Sequence, residues 1–353
     1  MAGKIFMRII AFFMVIGGMD RITGDHLGLG REFEKGFRML GELALCMTGI
    51  LCLTPAAVEL MKPWIVRTGS YLDPSFFSVF LSADMGGFTL AQGIASTKEA
   101  GVLNGLVTAS MLGCTLVYII PAGYGIIREE EKAPFSQGML IGTLTIPAGT
   151  LAAGIVMGIP AVQLLKNVLP VFCIAVLIAA GLARIPERMI RGCIIFGKLI
   201  TALATAGLIP AAFTYLTGYN IIPGMLPITE AMEIVCGCGI ILLGAYPFLK
   251  VLTRILKRIL HRLAVRLRVD DTSMDCLVFA LANAVPVFAE MKKMDRKGIV
   301  LNGAWMVPVS AVFGDFLAYA ANVAPDCLAA MIVGKLTAGL LALFAAGLIM
   351  RKE

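Results

Sequence analysis

Two carboxylates stand where a membrane-embedded chain has least reason to keep them. Asp84 lies in the middle of the apolar run 75–95 and is followed by Gly86 and Gly87, and Asp315 lies inside the run 298–323. An ionised side chain at mid-bilayer costs about 2.5–3.5 kcal/mol on insertion scales, so such residues mark functional sites by default. A carboxylate or an aromatic face holds a cation, and an amide or hydroxyl holds a neutral polar group. Paired glycines break a helix and expose carbonyls. Asn283, with Pro286 as a breaker, supplies an amide in the run 272–291. Tyr319 follows Asp315 by four residues and offers an aromatic face, and Asn322 follows by seven, two turns along one helical face. The candidate substrate contacts are therefore Asp84, Gly86, Gly87, Asn283, Asp315, Tyr319 and Asn322. Structural alternatives stand beside them. Asp84 caps a half-helix, Asn283 bonds neighbouring helices, Tyr319 packs, and Asp315 neutralises Lys335 in the next run. Glu42 and Lys198 read as a buried structural pair, and Asn104 and Asn302 either line a path or bond helices.

These residues need elements that span a bilayer. Of 353 residues, 59% are hydrophobic and 15% charged, with mean hydropathy +0.89, against about a quarter charged in soluble chains. Each crossing needs roughly 20 apolar residues. Runs of that kind fall at about 5–19, 37–61, 75–95, 100–127, 134–158, 164–183, 189–217, 230–255, 272–291, 298–323 and 327–350. They predict an all-α polytopic transmembrane bundle of ten to eleven hydrophobic segments, with no soluble domain between them. A barrel would show short alternating strands instead. The first run follows Lys4 and Arg8, lacks a small-residue cleavage site and leads into Asp20 and Arg21, so it reads as a retained helix.

Composition also limits the chemistry. The nine cysteines lie in or beside apolar runs, and Cys236 and Cys238 are too close for a metal pair, so they read as packing residues. Both histidines, His26 and His261, sit in polar stretches. No nucleophile–base arrangement and no metal or cofactor site is expected, which argues against an enzyme. The net charge of +7 resides mostly in loops, where it orients a membrane protein and does not indicate nucleic acid. The stretch 250–268 spaces cations every three or four residues among apolar ones, as a helix lying on anionic lipid does.

The chain also repeats itself. Pro55 corresponds to Pro247, the pair 83–84 to 282–283, LNG at 103–105 to LNG at 301–303, and MLIGTLT at 139–145 to MIVGKLT at 331–337. The spacing is roughly 190–200 residues each time. Duplicated halves, 1–158 and 218–353, joined by connecting helices in 159–217, are the expected organisation, as in secondary transporters. If 75–95 and 272–291 dip in and return, the repeats are inverted. The loop cations then gather on one side, as the positive-inside rule requires, and the C-terminus is cytoplasmic. Gly154-x-x-x-Gly158 adds a weak packing signal.

Seven stretches resemble one known family. DRI at 20–22, FEKGF at 33–37, ADMGGF at 83–88, LGAYP at 243–247, LAN at 281–283, MKKMDRKG at 291–298 and FGDFLAYAAN at 313–322 are similar to the ethanolamine permeases (EutH) of ethanolamine-utilisation operons. The likeness runs in order over nearly the whole chain and departs from the family in a short C-terminus. The resemblance implies a multipass protein of the bacterial cytoplasmic membrane that imports ethanolamine for breakdown, with membrane lipid around it and a homo-oligomer left open. The alternative is a passive channel, or a carrier for another small cationic solute or amino acid. Two divergent halves with broken helices favour a carrier over a channel.

Overall fold

The computed structural model describes residues 2–68, 72–81, 87–267 and 269–350, and every regular element among them is helical. A backbone in hydrocarbon must satisfy its own donors and acceptors, and helices do so within one segment. Helix α1 covers Ala2–Thr23, α2 Leu29–Thr68, α3 Gly87–Ile94, α4 Lys98–Ile126, α5 Glu129–Val156, α6 Ala161–Arg184 and α7 Pro186–Thr217. Then follow α8 (Ile228–Leu267), α9 (Asp271–Ala282), α10 (Val285–Glu290), α11 (Arg296–Val309), α12 (Asp315–Val323) and α13 (Leu328–Ile349). Among the described residues, seven helices are long and apolar enough to cross a membrane.

The runs 75–95 and 272–291 are not among those seven, because each is a hairpin. Asp73 caps a 3₁₀ turn, Pro74–Phe80, by accepting from the Ser75 N–H at 3.0 Å, and its other oxygen accepts from the Ser96 N–H at 3.2 Å. The two ends of the run are thus one carboxylate apart. Its arms, the 3₁₀ turn and α3, measure only about 14 and 12 Å, short of the ~30 Å hydrocarbon core. The second hairpin closes in the same manner. Asp270 accepts from the Ser273 N–H at 2.7 Å and from the Asp295 N–H at 3.1 Å, at the two ends of α9 and α10.

Each closed hairpin is tied to the helix that follows. Asn104 of α4 donates to the Ser75 hydroxyl at 2.9 Å and to Asn167 Oδ1 at 2.7 Å. Asn302 of α11 donates to the Ser273 carbonyl at 2.9 Å and the Gly298 carbonyl at 3.0 Å. Of the two sequence readings for these asparagines, the bonds to Ser75, Asn167 and Ser273 fit ties between segments, while the Gly298 carbonyl belongs to Asn302's own helix. Both side chains are fully buried.

The following helices differ. Helix α4 is continuous and almost wholly buried, wound as a π-helix through Leu103–Gly113 and Thr115–Ile119. The run 298–323, expected as one span, is broken between α11 and α12. Pro308 withholds a helix donor, and Ala311 takes φ +55°, a left-handed conformation. The break finds new partners on the second hairpin: the Ala311 N–H donates to the Ala280 carbonyl at 3.0 Å and the Phe313 N–H to the Leu281 carbonyl at 2.9 Å.

Around this centre α2 packs on α8, and α5 packs on α11 and α13. Helix α5 approaches its neighbours closely at glycines; a Cβ on Gly138 would stand 2.4 Å from the Val300 carbonyl oxygen, and one on Gly149 2.5 Å from that of Gly334. Such close backbones replace the hydrophobic drive that lipid cannot supply. The Gly154-x-x-x-Gly158 spacing serves otherwise: Gly154 meets the Leu164 side chain and Gly158 (φ +72°) makes a turn. The cationic stretch 250–268 begins as a continuation of α8, not as a separate helix. Lys250 pairs with Glu32 at 3.4 Å, and Arg254 donates to the Leu27 carbonyl at 2.6 Å.

Candidate functional site

The tip of the second hairpin and the break between α11 and α12 lie together, and a cavity of about 120 Å³ opens beside them. Glu42 and Cys46 of α2, Cys114 and Tyr118 of α4, Asn283 and Ala284 of the hairpin tip, and Ser310, Ala311, Asp315 and Phe316 contribute to its wall. Two breaks in helical order therefore face one space: the one between α9 and α10 and the one between α11 and α12.

Asp315 is the first residue of α12, after Gly314. A helix N-terminus favours a carboxylate there by its partial positive charge. Its Oδ1 is nonetheless buried without a hydrogen-bond partner, a state that costs a polar group about 1–3 kcal/mol and a charged one more. The Asp315 carboxylate thus retains an open acceptor at the cavity. Gly314 lets the break sit against the hairpin, since a Cβ there would lie 2.2 Å from the Ala282 carbonyl oxygen.

Asn283 leaves α9 in extended conformation, and its Oδ1 accepts from the Val285 N–H at 2.8 Å. That bond fixes the side chain and leaves the amide NH2 as a donor. Ser310, 1% exposed, adds a hydroxyl to the wall. The described wall carries two carboxylates and no lysine or arginine. Chemically, it suits a small cation that also bears a hydroxyl or other neutral polar group.

The two charge pairings considered from the sequence do not occur among the described residues. Lys335 is fully buried, but its Nζ donates to the Ser110 carbonyl at 2.7 Å and lies 4.4 Å from the Phe316 ring centroid, behind the cavity wall. It does not neutralise Asp315. Glu42 opens onto the cavity, whereas Lys198 is exposed on α7 in a separate groove.

The remaining candidates divide. Tyr319 is buried edge-on against Phe88 of α3, with ring centroids 6.0 Å apart, so it holds the first hairpin and does not line the cavity. Asn322 donates to the Ile234 carbonyl at 2.9 Å and joins α12 to α8. Gly87 begins α3 and is buried. Asp84 and Gly86 lie outside the described residues. Sequence reasoning missed Ser310 and the cavity role of Glu42; Pro308 and Gly314 were the available signals for the break.

The motifs shared with the permease family mostly build contacts. Asp20 accepts from the N–H groups of Leu27, Leu29 and Gly30 and shapes the α1–α2 turn. Lys35 lies 5.3 Å from the Tyr246 ring centroid, joining FEKGF to LGAYP. Asp295 caps α11 on the Gly298 N–H.

Comparison with known proteins agrees with the resemblance. The family model described as "Ethanolamine utilisation protein, EutH" matches residues 2–349. A "Probable ethanolamine permease EutH" of Listeria monocytogenes is 40% identical over 342 residues, covering 96% of this chain and 92% of that protein. The protein of the same name from Salmonella typhimurium is 36% identical over 391 residues, covering 99% and 96%. An "Uncharacterized protein YxeR" of Bacillus subtilis is 35% identical over 341 residues, covering 96% and 92%. No solved structure matches. With the family model matching nearly from end to end and curated relatives at this identity, the chain belongs to the EutH family of ethanolamine utilisation proteins.

Proposed function

We propose that this protein is a carrier that imports ethanolamine, in its ammonium form, across the bacterial cytoplasmic membrane. The observation that carries this reading is the unpartnered Asp315 oxygen at a cavity whose described wall bears no cation. The substrate's ammonium group binds Asp315, and Glu42 draws it in. Its hydroxyl oxygen accepts from the Asn283 amide, with Ser310 beside it. The names of the relatives support ethanolamine as the substrate. Asp84, Gly86 and Gly87 contribute a further carboxylate and free backbone groups to substrate binding. Tyr319 and Asn322 join α12 to α3 and α8 away from the cavity. A transport role, with no bond made or broken in the substrate, distinguishes the protein from an enzyme.

The same proposal includes the architecture. Residues 1–158 and 218–353 are duplicated halves, inverted relative to one another, with 159–217 connecting them. The matching closures at Asp73 and Asp270 and the matching ties at Asn104 and Asn302 support this reading. With both hairpins returning to their own side, the loops holding Arg31, Arg128, Arg188, Lys250 and Lys293 share one face. The positive-inside rule makes that face cytoplasmic, with the C-terminus. A reporter fused to the C-terminus and active only outside the cytoplasm would contradict this orientation.

Proteoliposomes given radiolabelled ethanolamine test the function. The carrier reading predicts saturable uptake with counterflow exchange. Linear flux without exchange means a pore, and absence of uptake overturns the proposal.

A further inference from the structure

The groove between α4 and α7 lies on the outer face of the bundle and contains one charge. Its wall is Val117, Pro121 and Ala122 of α4 and, on α7, residues from Ile194 to Ile209 that include Lys198. Lys198 is exposed, and among the described residues no carboxylate pairs with it. Below it the groove is apolar in effect. The Thr201 and Thr205 hydroxyls donate back to Gly197 and Thr201 of their own helix, at 3.1 and 2.9 Å. Ala202 and Ala206 leave the groove wide, and Gly197 brings the helices close, since a Cβ there would stand 2.9 Å from the Val117 carbonyl oxygen.

We propose that this groove binds one anionic phospholipid, with its phosphate on Lys198 and an acyl chain laid along α7 past Thr201 and Thr205. Depth supports this assignment. Helix α7 has 32 residues, about 48 Å at 1.5 Å per residue, and so exceeds the ~30 Å core by about 9 Å at each end when centred. Lys198 stands twelve residues after Pro186, about 18 Å along the helix, and hence about 9 Å inside the hydrocarbon. Its flexible stem reaches most of the way back to the headgroups. Arg191, two turns earlier on the same face, is exposed toward that level. A cation left alone at such depth is costly, and a phosphodiester with attached chains meets both the charge and the apolar channel. Val117 faces the groove while the adjacent Tyr118 faces the cavity. The lipid therefore bears on the helix that walls the candidate site, although its binding does not depend on the transport reading.

The test uses full-length protein in detergent, incubated with phosphatidylglycerol, with phosphatidylcholine of the same chains, or with glycerol phosphate. Retained lipid is read by native mass spectrometry and stability by thermal unfolding. Phosphatidylglycerol should be retained and should raise the unfolding temperature more than phosphatidylcholine, and glycerol phosphate should do neither. Lys198→Gln should weaken that retention roughly fivefold, and Lys198→Arg should restore it. Ala202→Trp, which fills the groove at an exposed position and keeps the charge, should abolish it. Equal retention of the two lipids overturns the proposal. So does wild-type retention by either the Gln or the Trp variant, or a protein dimer that covers the groove and excludes lipid.

Discussion

Helix α4 and the α11–α12 pair follow their hairpins in the same order, begin at similar caps, and are tied back by asparagines, yet only one of them is broken. Thr97 caps α4 on the Ala100 N–H at 3.2 Å, and Asp295 caps α11 on the Gly298 N–H. Beyond the ties the two diverge. The buried hydroxyls of α4, such as Thr108 and Thr115, return to carbonyls of their own helix. In the other helix Pro308 and the left-handed Ala311 interrupt the ladder, the freed donors turn to the second hairpin, and Asp315 begins a new helix with an unpartnered oxygen. Shared bonds thus account for how the hairpins are held. The difference accounts for where a charged ligand is bound.

Removing the charge that marks the difference should have the largest effect. Asp315→Asn keeps the volume and loses the anion, so ethanolamine uptake should fall roughly a hundredfold in kcat/KM, the scale expected for a buried charge partner, with membrane abundance unchanged. Wild-type uptake would place the substrate's counter-charge elsewhere. Gly314→Ala comes next. Its Cβ would meet the Ala282 carbonyl oxygen at 2.2 Å, forcing the break from the hairpin, and uptake should fall about tenfold. Unchanged uptake would mean that this contact does not shape the site.

The ties should respond alike. Asn104→Leu and Asn302→Leu each remove two buried donor bonds, and each should lower stability by about 1–3 kcal/mol, measured by denaturation in detergent. A loss confined to one half would break the comparison. Asn322→Ala should do least. It removes a bond to Ile234 outside the cavity, so stability should drop by about 1 kcal/mol while uptake per folded molecule stays near wild type. A collapse of uptake would instead return Asn322 to the substrate site.

Much of this arrangement was legible in the sequence because charge and helix breakers stand out against apolar runs. Asp315, Asn283 and the two interrupted segments all announced themselves in that manner. The break at 310–314 did not, because Ser310, Ala311 and Val312 continue the apolar run and their conformation depends on carbonyls at Ala280 and Leu281. Glu42 was misread with Lys198 because mid-helix charges of opposite sign invite pairing, whereas helix rotation turns these two toward different spaces. The alternative that pairs Lys335 with Asp315 arises for the same reason and does not occur. The acceptor for Lys335, the Ser110 carbonyl, is backbone and leaves no trace in residue type. The π winding of α4 likewise has no signature in composition.

The most direct test of a cation site at the break uses two native residues of the cavity wall, Cys46 and Cys114. The other cysteines are replaced, and reaction of the partly exposed Cys46 with a small thiol reagent is followed with and without ethanolamine. Ethanolamine should slow the reaction several-fold with a half-maximal effect near the KM for uptake, and the protection should vanish in Asp315→Asn. Undiminished labelling of Cys46 in protein that carries ethanolamine at the wild-type rate would contradict the account.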